Sequence, residues 1–194
     1  EIMDNTPQKD DRKDSQIIAH LAREDKTLHQ NLPKEPYAKL RGLTHLREEV
    51  LEDRSRLRNQ LHKWLDRHFP EYPKLFSNLL GATCLGLLEE YKGPKGFKDI
   101  PFKELTEKIY SLSRGKLGFK LAKELKTQAA ETLGKTIAPK AAWARLDHLL
   151  SRISSLFEEI NQIETAIRNQ LNSLKESEYL LTIPGVGWWG AARS

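Results

Sequence analysis

A single cysteine, Cys84, leaves the chain unable to close an internal disulfide or to supply two thiolates to a zinc site. Packing must therefore hold the fold, and a reducing compartment, by default the cytoplasm, is expected. No run approaches the roughly 18 uninterrupted apolar residues that a membrane span needs. The opening Glu1–Asp14 is acidic and polar, unlike a signal peptide, so neither a membrane anchor nor a secretory leader is expected. No Gly-rich phosphate loop ending in Lys-Ser/Thr occurs. The histidines at 20, 29, 45, 62, 68 and 148 are scattered without metal-ligand spacing, as helix-surface residues would be. Cys84 lies in the apolar run Leu79–Leu88 and is expected in the core, away from chemistry. No segment alternates apolar and polar residues as a half-buried strand does. With 38% apolar and 30% charged residues, the chain is hydrophilic in the manner of long exposed helices.

The apolar spacing gives a mainly α architecture. Ile17, Ile18, Leu21 and Leu28 mark a short helix over Asp11–His29, and Pro33 and Pro36 then interrupt it. Leu40, Leu43, Leu46, Val50, Leu57, Leu61 and Trp64 recur by threes and fours with one gap of seven at Arg54, predicting a long amphipathic helix over Leu40–Phe69 that Pro70 and Pro73 stop. Residues 73–134 read as a compact helical insert. Its runs at Leu75–Glu90, Lys103–Leu112 and Leu117–Leu133 are punctuated by Gly93-Pro94, Gly96, Pro101 and Ser113-Arg114-Gly115. From Trp143 through Leu146, Leu150, Ile153, Phe157, Ile160, Glu164, Ile167 and Leu171 to Leu174 a 3,4 spacing is unbroken, which suits a coiled coil or a long bundle helix. About 38 residues at ~1.5 Å each make a rod of ~57 Å, so a partner of equal length is required. Either the Leu40–Phe69 helix or a second copy of the chain serves. Glu164 falls on the seam; an exposed edge of the bundle is the preferred reading, and a polar residue that fixes register or oligomer state is the other.

Charge is uneven. Between Lys92 and Lys126 there are ten Lys/Arg against four acids, a local +6 where the whole chain carries +5. These cations stand beside Tyr91, Phe97, Phe102, Tyr110 and Phe119. A phosphate-neutralising surface and a solvated helix face with the aromatics in the core fit that pattern equally well. The candidate nucleic-acid contacts are Lys92, Lys95, Lys98, Arg114, Lys116, Lys120, Lys123 and Lys126. Two further constellations bear on chemistry. Asp11 and Asp14 stand at i,i+3 on the first helix, where their carboxylates share a face. They could hold a divalent cation such as Mg²⁺, or merely complement the helix dipole. Leu181-Thr-Ile-Pro-Gly-Val-Gly187 has the form of a helix-hairpin-helix turn, in which small residues such as Gly185 and Gly187 let backbone N–H groups approach a phosphate irrespective of base. A plain Pro-Gly turn reads the same way.

The order of these pieces resembles a known family. Lys9-Asp-Asp-Arg-Lys-Asp-Ser-Gln-Ile-Ile-Ala19 is similar to the Lys-Thr-Asp-Arg-x-Asp-Ala-x-x-Ile/Leu-Ala segment of the DEDD-type insertion-sequence transposases, the RNA-guided bridge recombinases. Asp10 stands where that family commonly has Thr and Ser15 where it has Ala. Leu43-x-x-Leu-Arg-Glu-Glu-Val and Arg54-x-x-Leu-Arg-Asn-Gln-Leu-His resemble the start of its coiled coil. Leu181–Gly187 resembles the start of its C-terminal transposase domain, although Trp188-Trp189 replace a Pro and smaller residues. The resemblance implies a DNA transposase or recombinase with a RuvC-like, RNase-H-type domain, four acidic residues and Mg²⁺. Asp11 and Asp14 match the third and fourth acids of that tetrad as catalytic metal ligands. It implies a coiled coil for dimerisation, DNA and a structured guide RNA as partners, and a C-terminal serine nucleophile that Ser194 does not match. The expected division is the end of the RuvC-like domain at 1–36, a coiled-coil region at 37–178 with the insert at 73–134, and the start of the transposase domain at 179–194. On this reading the 194 residues are a fragment, inactive alone. The alternative is a non-catalytic coiled-coil protein that binds nucleic acid through the same insert.

Overall fold

Glu35 and Pro36 suit a helix start. A carboxylate complements the positive end of the helix dipole, and proline's missing N–H costs nothing in the first turn, where that donor has no intrahelical acceptor. The computed structural model describes residues 35–174, and its first helix, α1, runs Glu35–His68. A 3₁₀ turn at Tyr72–Leu75 follows, then α2 (Ala82–Tyr91), α3 (Pro94–Asp99), α4 (Phe102–Leu112), α5 (Phe119–Glu131) and α6 (Pro139–Asn172). No strand occurs among the described residues, and none of their helices is long and apolar enough to cross a membrane. The expected helix over Asp11–His29, the acid pair within it and the hairpin after Leu181 all lie outside the described residues.

The long seam finds its partner in the same chain. Contacts between α1 and α6 run in opposite order along the two helices: Arg47 meets Glu164, Gln60 meets Arg145, and the Trp64 indole N–H donates to the Ala142 carbonyl at 3.1 Å. The pair is therefore antiparallel. Each helix has 34 residues, or ~51 Å at 1.5 Å per residue, so the two match in length. Toward the start of α1 the seam is two helices thick, with Leu40 and Val50 against Ile160, Ile163, Ile167 and Leu171. Farther along, Leu57, Leu61, Trp64 and Leu65 of α1 and Leu146, Leu149 and Ile153 of α6 join a larger core. The insert contributes Leu87, Leu88, Phe97, Leu105, Ile109, Leu121 and Leu125 to it.

Glu164 departs from expectation. Its carboxylate accepts from Arg47 Nε at 3.0 Å and Nη2 at 2.9 Å, and both side chains are half-buried, at 27% and 20% exposure. Instead of standing at an open edge, it makes a charge-assisted bond across the seam. A one-turn slip of either helix would separate these groups, so the pair also fixes register.

The insert is divided more finely than its sequence runs suggest. The run from Leu75 does not begin as one helix. Asn78 Oδ1 accepts from the Leu80 N–H at 3.0 Å while its carbonyl accepts from Gly81, and this local turn delays α2 to Ala82. Gly93-Pro94 and Gly96 do not simply interrupt helix, because Pro94 opens α3 and Gly96 lies inside it. Both glycines are needed for close approach: a Cβ at Gly93 would overlap the Trp143 ring, and one at Gly96 the Tyr91 carbonyl oxygen.

His68 is the histidine that the sequence misplaces. It is buried at the end of α1, 4.6 Å from Trp64 and 6.3 Å from Trp143 between ring centroids, with Nδ1 hydrogen-bonded to Thr136 Oγ1 at 3.0 Å. Burial, and then the neighbouring Arg67 charge, push its pKa below 6.5, against a smaller opposing contribution from the Lys135 backbone. The segment between α5 and α6 is tied to this corner. Glu71 accepts from Thr132 Oγ1 at 2.6 Å and the Leu133 N–H at 3.1 Å, and the Lys135 N–H donates to the Arg67 carbonyl at 3.2 Å.

Candidate nucleic-acid interface

The ten cations between Lys92 and Lys126 fall into two groups. Lys92 Nζ lies 2.7 Å from Asp147, Lys108 pairs with Glu90, and Lys103 is 4.0 Å from Glu107 one turn along α4. Lys126 donates to the carbonyls of Lys98, at 2.8 Å, and Ile100, supplying a cation where the α3 carbonyls end. Lys92 and Lys126 thus hold insert elements against one another. Lys95, Lys98, Arg114, Lys116, Lys120 and Lys123 are exposed and make no ion pair among the described residues. Four of these six lie within ten residues, on the turn that joins α4 to α5 and on the first turns of α5.

That turn is rigid for identifiable reasons. The Gly115 N–H donates to the Tyr110 carbonyl at 2.9 Å and the Arg114 N–H to Ser111 at 3.2 Å, the paired bonds of a Schellman helix end. Ser113 Oγ accepts from the Leu117 N–H at 2.9 Å. Gly115 has φ +79°, which costs a glycine nothing, but Arg114 has φ +53°, at the position where helix ends ordinarily place glycine. An L-residue in the left-handed region costs about 1–2 kcal/mol. The closed turn therefore holds a guanidinium outward at some expense to stability.

The aromatics beside the cations also divide. Phe97 is in the core and Tyr91 packs against it, its hydroxyl shielded from water without a hydrogen-bond partner. Burial first, then the Glu90 and Glu104 charges, push the Tyr91 pKa up to about 12, so it stays protonated. Phe102, Tyr110 and Phe119 are exposed, and the Phe102 and Phe119 rings meet edge-to-face at 5.1 Å. Cys84 is in the core as expected, its thiol pushed up to about 12 by burial, with its carbonyl accepting from the Tyr72 hydroxyl at 2.8 Å. Such a thiol is a poor nucleophile.

A cleft of about 730 Å³ lies between α2 and α6, with Leu85, Leu150 and Phe157 on its apolar side and Glu89, Lys92, Asp147, Ser151 and Ser154 on its polar side. It draws residues from two helices far apart in sequence, so no local pattern announces it. Among the described residues no group of three His, Cys, Asp or Glu side chains converges as metal ligands would. Asp11, Asp14, Gly185 and Gly187 lie outside the described residues.

Comparison with known proteins adds what the geometry lacks. Residues 2–70 match the model of the IS110-type DEDD family, described as a transposase. The chain is also 26% identical over 187 residues to the "Insertion element IS116 uncharacterized 44.8 kDa protein" of Streptomyces clavuligerus. Both likenesses point to mobile elements. That alignment takes in 92% of this chain and 45% of the relative, so the chain spans less than half the length of the curated relative it matches.

The cations were visible in the sequence; their division into internal and outward groups was not, because Asp147, Glu90 and the α3 carbonyls come near them only in the fold. The exposure of Phe102 and Phe119 left a faint signal. Each stands at the first position of a helix, beside a lysine.

Proposed function

We propose that this chain is part of a DNA transposase or recombinase of a mobile element, contributing a nucleic-acid-binding insert mounted on an antiparallel helical pair. The observation that carries this is the run of four exposed cations, Arg114, Lys116, Lys120 and Lys123, with no ion-pair partner among the described residues, in a chain whose residues 2–70 match a transposase family. Internal pairing removes Lys92 and Lys126 from the contact surface, and Lys95 and Lys98 extend it. In the same reading Asp11 and Asp14 are two of the acids of a RuvC-like site. Two carboxylates on one helix face suit Mg²⁺, which takes hard oxygen ligands and, when bound, polarises a phosphate oxygen or activates water. Gly185 and Gly187 would add backbone contacts to phosphate. DNA and a structured guide RNA are the proposed partners. Since α1 already covers the seam of α6, a homodimer would have to use other faces of the pair. The chain alone is proposed not to recombine DNA.

The test is binding of fluorescent duplex DNA and structured RNA across a salt series. Four phosphate contacts predict that log affinity falls with log salt at a slope of about −3 to −4 on duplex. The triple change Lys116→Glu, Lys120→Glu, Lys123→Glu should abolish binding while leaving the far-UV circular dichroism unchanged. Absence of binding at low salt would reduce the cluster to a solvated face and end the reading.

A further inference from the structure

The rings at the outer end of the insert lack an explanation in packing. Phe119 is 66% exposed and Phe102 37%, and Leu117, two residues before Phe119, is 43% exposed. Scattered surface apolar residues are ordinary, but two phenyl rings in contact form a patch, and patches on soluble proteins mark interaction sites. The chain has apolar positions at which such rings could be covered, as Phe69 and Phe97 are, both fully buried. Cations gather on the Phe119 side of the patch. Lys123 follows Phe119 by one turn of α5 on the same face, Lys120 is its neighbour, and Lys116 and Arg114 precede it on the rigid turn. An acidic partner with flat apolar faces would satisfy both features.

We propose that Phe102 and Phe119 form a stacking platform for unpaired bases of a single-stranded nucleic acid, with Arg114, Lys116, Lys120 and Lys123 neutralising its phosphates. The proposal rests on the reading of the insert as a nucleic-acid interface and narrows it. In a duplex the base faces are hidden in the stack, so rings on a convex helical surface meet only sugar and phosphate. An unpaired base offers its face to an aromatic side chain, and cations alternating with aromatics follow its backbone. Stacking ignores sequence, so the platform would bind single strands of any base composition.

The experiment is fluorescence anisotropy of the 194-residue chain with end-labelled oligo-dT, oligo-rU and a mixed-sequence duplex of equal length. Both single strands should bind more tightly than the duplex. Phe119→Ala, and more so Phe102→Ala/Phe119→Ala, should weaken single-strand binding by about 5- to 100-fold while duplex affinity changes less than about twofold. Phe119→Trp should restore it. Phe119→Ala alone keeps the test decisive should the double change perturb folding, since that ring is mostly outside the core, and an unchanged thermal midpoint checks this. Equal affinity for duplex and single strands, or single-strand binding indifferent to Phe119→Ala, would overturn the platform and leave the broader reading intact. Failure of all three probes at low salt would overturn both.

Discussion

The end of the α1–α6 pair away from the insert and the helical insert solve different physical problems with similar residues. Among the described residues only these two helices pack there, and the buried side chains Leu40, Val50, Ile160 and Ile163 each retain a few percent of exposure. In the insert four short helices and a 3₁₀ turn close over Phe97, Leu105, Ile109 and Leu125, none of which keeps any. A two-helix seam leaves most of its core residues, Ile167 excepted, slightly open to solvent, and a slip by one turn exchanges one apolar contact for another. Its specificity comes from a polar pair, Arg47 with Glu164. The closed insert core has shape enough to fix its own arrangement, so its surface cations are available for other partners.

Core truncation should separate the two regions most strongly. Leu125→Ala, in the closed insert core, should cost about 3–5 kcal/mol, whereas Ile160→Ala in the seam, where side chains can relax into the space, should cost nearer ~2–3 kcal/mol. Urea melts of the two variants check this; equal losses would mean that the seam is packed as rigidly as the insert. Arg47→Ala comes next, at about 1–2 kcal/mol, because it strands a half-buried carboxylate whose remaining access to water softens the penalty. Its signature is local. Amide exchange should quicken in the first turns of α1 and the last of α6 and stay unchanged in α4 and α5. Glu164→Gln in the Arg47→Ala background should restore part of the loss.

The His68 corner, where the two regions join, should respond to pH. A histidine that ionises at 6.5 in the unfolded chain and at a lower pKa in the fold makes the unfolded state bind more protons between those two values. Stability is therefore full above pH 6.5 and falls as pH drops from there toward the folded pKa. Glu71 acts lower on the scale. Its burial alone would raise its pKa, but hydrogen bonds from Thr132 and Leu133, its own N–H and the Lys74 charge outweigh that and lower it. Its contribution is thus present above 4.5 and lost as pH falls through its folded pKa. Thermal midpoints measured from about pH 7.5 down to 5.5 should decline in the wild type and flatten in His68→Gln; an unchanged slope would place the titrating group elsewhere.

Much of this architecture is legible in the sequence, and the failures have physical causes. The long helices follow from period and from prolines at their ends, since α1 and α6 bury one stripe each and expose the rest. The insert's runs were visible, but Pro94 and Gly96 read as breaks when they belong to a six-residue helix, because a short helix is fixed by what its backbone approaches and not by periodicity. Glu164 and His68 were read as surface residues because polarity alone says nothing of a partner 117 positions away, as for Glu164, or 68, as for His68. At the candidate interface, the cation cluster of Lys92–Lys126 is visible in composition alone. Only the fold shows that Lys92, Lys108 and Lys126 are engaged and that Phe102 and Phe119 are outside.

The smallest expected effect on stability is the sharpest probe of why the insert's outer turn differs from the rest. Arg114 occupies a left-handed position that glycine fills without steric cost, and its exposed side chain makes no ion pair among the described residues. If the turn were only a connection between α4 and α5, Arg114→Gly should be favourable in every respect. The relief of backbone strain outweighs the added freedom of the unfolded chain, giving up to about 1 kcal/mol of stabilisation. On the nucleic-acid reading the same change should raise the thermal midpoint slightly and weaken oligo-dT binding severalfold at low salt, with the salt slope reduced by about one contact. A variant that is both more stable and equally competent to bind would show that Arg114 contributes to neither. Opposite signs for stability and binding would identify the strained guanidinium as part of the contact surface, because no requirement of the fold calls for an arginine at that position.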